Sequence, residues 1–112
     1  MTGVVDRLNT LLGSHDECRI QSFDSWRIII IGSFDIGYYH DFEVEFGGAT
    51  YINCLTDFHA QSFRLGTAAE RVLLGADYLE PEETLFCFES DGRNFFIVAA
   101  TLVLREGHVK HY

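Results

Sequence analysis

Two hydrophobic periods organise the chain. Near the N-terminus Val4, Val5, Leu8, Leu11 and Leu12 recur at i, i+1, i+4, i+7 and i+8. That spacing gathers them on one face at 3.6 residues per turn and predicts a short amphipathic helix. Thr2 stands where an N-cap belongs, Asp6 lies near the positive end of the helix dipole, and Gly13 is placed to stop the helix. A helix lying on a membrane surface carries basic residues along its polar face, and only Arg7 is available here. The helix is therefore expected to cover a sheet.

Beyond the polar stretch 14–17 the period changes to two. Residues 19–23 read as a short strand. The run Ile28, Ile29, Ile30, Ile31 fits a strand buried on both faces, hence a central one. Asp35-Ile36-Gly37 supplies a turn, with Gly37 free to take a positive φ. Residues 38–46 form the clearest element. Tyr38, His40, Phe42, Val44 and Phe46 share one phase, while Tyr39, Asp41, Glu43 and Glu45 share the other. This alternation marks a half-buried antiparallel strand. Gly47-Gly48 predicts a two-residue hairpin, whose register would set Phe46 against Ala49, Val44 against Tyr51 and Phe42 against Asn53. Glu45, Glu43 and Asp41 would then oppose Thr50, Ile52 and Cys54, so that no like charges meet.

A further strand is expected over Ser62–Leu65. Thr67-Ala68-Ala69-Glu70 has the form of a capping box and opens a short helix over Ala68–Leu74, to be ended by Gly75. The acidic segment 77–83 holds the single proline, Pro81, and reads as an exposed loop. Residues 85–89 and 95–104 are apolar on both faces and are joined through a hairpin turn at Asp91-Gly92. A turn at Glu106-Gly107 would bring 108–112 back as an edge strand. Short, hairpin-like connections leave no room for parallel crossovers. The expected architecture is one α+β domain over residues 1–112. It would comprise a curved antiparallel sheet or partly open barrel of about six to eight strands, the N-terminal helix packed on it, and one short helix mid-chain.

Composition narrows the function classes. The 112 residues include 17 acidic and 8 basic side chains, a net charge of −9. With 47% hydrophobic and 14% aromatic residues, the chain is too apolar for a disordered one. No apolar run approaches the roughly 20 residues that cross a bilayer as a helix. Cys18, Cys54 and Cys87 cannot all pair with one another and show no zinc spacing, which fits free thiols in a reducing cytoplasm. No basic start leads into a long apolar stretch, so no secretory leader is expected. A single lysine against seven arginines suits a GC-rich bacterial genome. The negative charge disfavours nucleic acid and anionic membranes as partners, and aromatic side chains without a basic groove do not make a single-strand binder. The same charge would steer a basic protein toward this chain.

Candidate chemistry concentrates at Asp35, Tyr38, Tyr39, His40 and Asp41. Phenols, an imidazole and carboxylates supply general acid–base groups, which makes Tyr38, His40 and Asp35 the catalytic candidates. One reading has Tyr38, His40 and Phe42 lining the mouth of a cavity for a small apolar ligand, with Tyr51 opposite. The other has His40 as a core histidine bonded to a backbone carbonyl, with surface tyrosines around it. Asp41, Glu43 and Glu45 form an acidic row that is either a solvated strand face or a docking face for a basic protein. The stretch 77–91 could extend that face if it folds alongside.

Cys54, Asp57 and His59 are close in sequence, and Cys54 is expected to pack as a small hydrophobe. Ser14, His15 and Asp16 are too close on one backbone to converge as a triad. His108 and His111, three apart in an extended segment, face opposite sides and lack a third metal ligand. No glycine pattern marks a phosphate or dinucleotide site. No metal or cofactor is expected. The leading expectation is a non-catalytic cytoplasmic binding domain for a basic protein partner, with an immunity-type or regulatory inhibitor as one form. Tyr38, Tyr39, Asp41, Glu43, Glu45 and Tyr51 are its candidate binding residues. The alternatives are a small-ligand-binding or weak acid–base domain with its pocket near Tyr38 and His40, and a self-associating structural protein. Monomer and homodimer both remain open.

Overall fold

The computed structural model describes residues 2–13, 17–24, 26–33, 35–74 and 82–111. Ser14, His15 and Asp16, the stop at Gly75 and the loop residues 77–81 lie outside them. The elements run α1 (Thr2–Leu12), β1 (Glu17–Asp24), β2 (Arg27–Ser33), β3 (Tyr39–Gly47), β4 (Tyr51–Asn53), β5 (Asp57–His59), β6 (Ser62–Leu65), α2 (Ala68–Leu74), β7 (Thr84–Ser90), β8 (Arg93–Ala99) and β9 (Thr101–Lys110). The strands form two antiparallel sheets, ordered β5-β1-β2-β3-β9 and β4-β8-β7-β6. The architecture is α+β, and its two curved layers do not close into a barrel.

The isoleucine run explains the position of β2, the middle strand of the larger sheet. Ile28 and Ile30 enter the core between the layers. Ile31 is also buried, on the opposite face, where its strand neighbours are Arg19 and Glu43. In β3 the burial alternates residue by residue, with Phe42, Val44 and Phe46 facing the core. The smaller sheet contributes Phe63, Phe86, Phe88 and Ile97, and α1 adds Leu8 and Leu12. Phe46 sits among the rings of Phe63, Phe86 and Phe88 at centroid distances of 6.3, 5.2 and 6.2 Å. Tilted and edge-to-face arrangements of this kind suit the ring quadrupole and tie the layers together. Phe23 departs from the pattern and is exposed.

Two local signals form as their residue types require. At Asp91-Gly92 both residues take positive φ, 49° and 77°, the conformation of a tight hairpin between β7 and β8. In the capping box, Glu70 N–H donates to Thr67 Oγ1 at 3.1 Å and Thr67 N–H donates to Glu70 Oε1 at 2.8 Å.

Four expectations about connection are overturned. The hairpin at Gly47-Gly48 does not form. Gly48, at φ 63°, turns the chain out of the first sheet. Ala49 N–H then donates to Trp26 O, and Thr50 N–H donates to Val98 O. Both sides of β3 are occupied by β2 and β9, so β4 pairs with β8 and Tyr51 stands opposite Val98. Residues 95–104 are not one strand. The chain changes sheets at Ala100, whose N–H donates to Gly47 O. No turn forms at Glu106-Gly107, because β9 continues to Lys110. The extra residue on β9 is absorbed as a bulge, with His40 opposite Val109 and Phe42 opposite Glu106. Finally, Gly37 does not need the left-handed region. Asp35 O accepts from both Tyr38 N–H and Tyr39 N–H in a helical-type turn, which lifts Tyr38 out of the strand phase and leaves it 63% exposed.

Candidate functional site

The polar phase of β3 lies on the outer face of the five-stranded sheet, and its charges are matched from neighbouring strands. Arg105 on β9 reaches Glu43 at 3.3 Å and Glu45 at 3.0 Å. Arg27 on β2 reaches Glu45 at 3.7 Å. His108 Nδ1 lies 2.7 Å from Asp41 Oδ1, and its ring packs on Tyr39 with centroids 4.7 Å apart. The hydrogen bond to Glu45, then that to Glu43, holds the Arg105 guanidinium above its ordinary range. The row Asp41, Glu43, Glu45 is thus interleaved with cations rather than a bare acidic face. Glu89 lies on β7 in the other sheet, where Arg64 reaches it at 3.2 Å. Glu89 therefore does not continue the β3 row, while Glu83 accepts from Thr50 Oγ1, just past the end of β3.

His40 is 2% exposed. Its Nε2 lies 3.1 Å from Glu43 Oε1, and its Nδ1 lies 2.8 Å from His111 Nε2. Two side chains, not a backbone carbonyl, hold the ring. Because a carboxylate only accepts, Nε2 carries a proton, and in a neutral His40 the Nδ1 then accepts from His111. Tyr38 projects into solvent nearby, Asp35 closes the preceding turn through its backbone, and Tyr51 belongs to the other sheet. The tertiary structure thus gathers Tyr39, His40, Asp41, Glu43 and Glu45 on one strand and separates Tyr51 from them.

A second region surrounds His59 at the end of β5, where three open hollows share this side chain. One of about 350 Å³ is lined by Glu17, Arg19, Ile36, Asp57, Phe58 and His59, among others. Another of about 400 Å³ lies between His59, Gln61, Asp91 and the end of α1. The third, about 350 Å³, has Phe58 and Phe95 beside Leu55, Asp57, Asp91 and Arg93. None of the three is lined by Tyr38 or His40. Arg19 donates to Asp57 at 2.6 Å, and Glu17 accepts from Ile36 N–H at 3.0 Å. These pairs order two carboxylates along the rim. Sequence proximity had singled out Asp57 and His59 only as partners of Cys54. Asp91 and Glu17, thirty or more positions away, come to them through the chain crossing from β5 into β6 and through the pairing of β1 with β5.

Burial disfavours the thiolate form at two of the cysteines. Burial pushes Cys54 up to about 12 and Cys87 up to about 11. Cys54 packs against the core cluster. Among the described residues no three His, Cys, Asp or Glu side chains gather as metal ligands, and no described helix is long and apolar enough to cross a membrane. Comparison of the chain with models of known families, with curated proteins and with solved structures finds no match.

Proposed function

We propose that this chain is a non-catalytic binding domain for a basic protein, and that the partner docks at the His59 end of the sandwich. The supporting observation is the group of adjoining hollows there. They combine an aromatic floor, Phe58 and Phe95, with rim carboxylates Glu17, Asp57 and Asp91. An inserted arginine or lysine would stack its stem on the rings and meet a carboxylate, the anchor geometry of interface hot spots. The β3 row lines none of these hollows and its carboxylates meet Arg27 and Arg105; at the rim Arg19 meets Asp57, so an inserted cation would face Glu17 and Asp91. His40 is enclosed and held on both nitrogens, which favours a binding role over acid–base catalysis at that ring. The net charge of −9 would speed encounter with a cationic surface.

The test uses the full chain as bait in extract from its source, followed by calorimetry on each purified candidate partner. The expected partner is basic, and Asp57→Lys combined with Asp91→Lys weakens its binding at least about tenfold, the effect of roughly 1.4 kcal/mol. Glu43→Gln with Glu45→Gln leaves it within about twofold. A partner whose affinity is indifferent to the first pair and sensitive to the second would overturn the assignment. So would saturable binding of a small molecule in the hollows with no protein partner.

A further inference from the structure

We propose that the last residues of β9 are a proton-operated clasp. They are closed while the His40–His111 contact holds a single proton, and they open when both imidazoles are charged. The contact Nδ1···Nε2 is 2.8 Å long, and a hydrogen bond of that kind has room for one proton. With His40 Nε2–H donating to Glu43, the neutral pair is complete when His111 donates from Nε2. One added proton is tolerated. His111, which is exposed, takes it on its outer Nδ1 and still donates from Nε2. A second proton would have to sit on His40 Nδ1, where it would point at the His111 N–H inside an enclosed space. Two imidazolium groups cannot make this contact, so the doubly charged pair must part.

The surroundings locate the opening. β9 is the edge strand of its sheet, held on one side by β3, and residues 105–111 are exposed. Beyond His108 the chain is attached through Lys110 opposite Tyr39, Val109 opposite His40 and His111 N–H donating to Tyr38 O at 2.8 Å. The other charged or titratable groups around the pair act differently. Asp41 holds His108, and that contact strengthens when His108 is protonated. Arg105 binds Glu43 and Glu45, and Glu106 is held by Arg7 of α1. Tyr39 lies against the His108 ring. These contacts fasten the strand up to His108, so the opening is confined to Val109, Lys110 and His111.

Opening takes up one proton, so the opening constant rises as pH falls, by at most about tenfold per pH unit. The experiment follows amide exchange at His111, whose N–H donates to Tyr38 O, in the full chain by NMR, corrected for intrinsic rates, from about pH 7.5 to about pH 5, which brackets the ordinary imidazole range. Protection at the His111 amide is expected to fall by at least about tenfold across that range. Amides between β2 and β3 should stay protected throughout, which reports that the fold is intact. His111→Gln carries an amide that can offer either a donor or an acceptor and does not titrate, and it should abolish the slope. His108→Asn should keep it. Protection that stays flat in the parent chain, or a slope that survives in His111→Gln, overturns the proposal.

Discussion

Asn9 of α1 stands in for a neighbouring strand against Phe63 of β6. Its Nδ2 donates to Phe63 O and its Oδ1 accepts from Phe63 N–H, both at 2.7 Å. β6 is the edge of the smaller sheet, and this side-chain amide satisfies the outward backbone groups of the residue whose ring enters the core. Each bond of this kind contributes about 1 kcal/mol net. Asn9→Ala is therefore expected to lower stability by about 2 kcal/mol in urea unfolding. Asn9→Asp should lose at least as much, because its carboxylate would face Phe63 O without a donor.

Gly32 lies under the Phe42 ring on the adjacent strand. A Cβ at this position would stand 2.6 Å from Phe42 Cε1 and 2.8 Å from Cε2. Phe42 is fully buried and cannot swing aside. Gly32→Ala is expected to cost about 1–3 kcal/mol by overpacking, read as a lower denaturation midpoint. Gly32→Ala with Phe42→Leu should recover part of that loss. If the double variant is no more stable than the single one, the ring is not the obstacle.

Phe46 is the larger sheet's ring in this aromatic group, and its truncation leaves Phe63, Phe86 and Phe88, which still pack on one another, facing a cavity. Phe46→Ala should destabilise the chain by about 3–5 kcal/mol. Phe23→Ala, at an exposed position, should change stability by no more than about 0.5 kcal/mol.

Glu70 gives the acid dependence of stability a local source. Its carboxylate is held down to about 2, first by the Arg64 fork and also by Thr67, with Arg64 Nη1 and Nη2 at 2.7 and 2.8 Å from its oxygens. A depressed carboxylate stabilises the fold above its unfolded value of 4.5 and loses that contribution as pH falls toward about 2. Glu70→Ala should cost about 1–2 kcal/mol near neutrality, through the lost cap and fork. Thermal melts should show the gap between parent and variant closing as pH drops through that window. A gap that stays constant would assign the fork no role.

Cys54 and Cys87 bear on reactivity. The thiolate is the nucleophile, and both groups are pushed far above ordinary thiols, to about 12 and about 11. Iodoacetamide at about pH 8, near the ordinary thiol value, should label the native chain slowly. In denaturant it should modify all three cysteines at once. Rapid native labelling at Cys54 would contradict its burial.

The sequence by itself determined the elements whose cause is local. Val4 to Leu12 can bury one helical face only as a helix. Thr67 and Glu70 carry their cap wherever the segment lies, and Asp91-Gly92 closes a hairpin through backbone freedom alone. The isoleucine run required a central strand, and β2 is that strand, with Ile28, Ile30 and Ile31 buried and Ile29 half-buried on the outer face. Tertiary structure decided which strands meet. Gly47-Gly48 is compatible with a hairpin or with an exit to another layer, and the choice fell to β2 and β9, which occupy both sides of β3. The row Asp41, Glu43, Glu45 was legible as polar but not as compensated, because Arg27 and Arg105 reach it only through strand order. His40 was legible as inward, but its partner His111 lies 71 positions away. The hollows around His59 likewise arise where distant segments cross between sheets. Periodicity and turn chemistry act over a few residues and can be read along the chain. Cross-strand charge pairing and cavity shape depend on contacts between segments far apart in sequence, and only the folded sandwich supplies them.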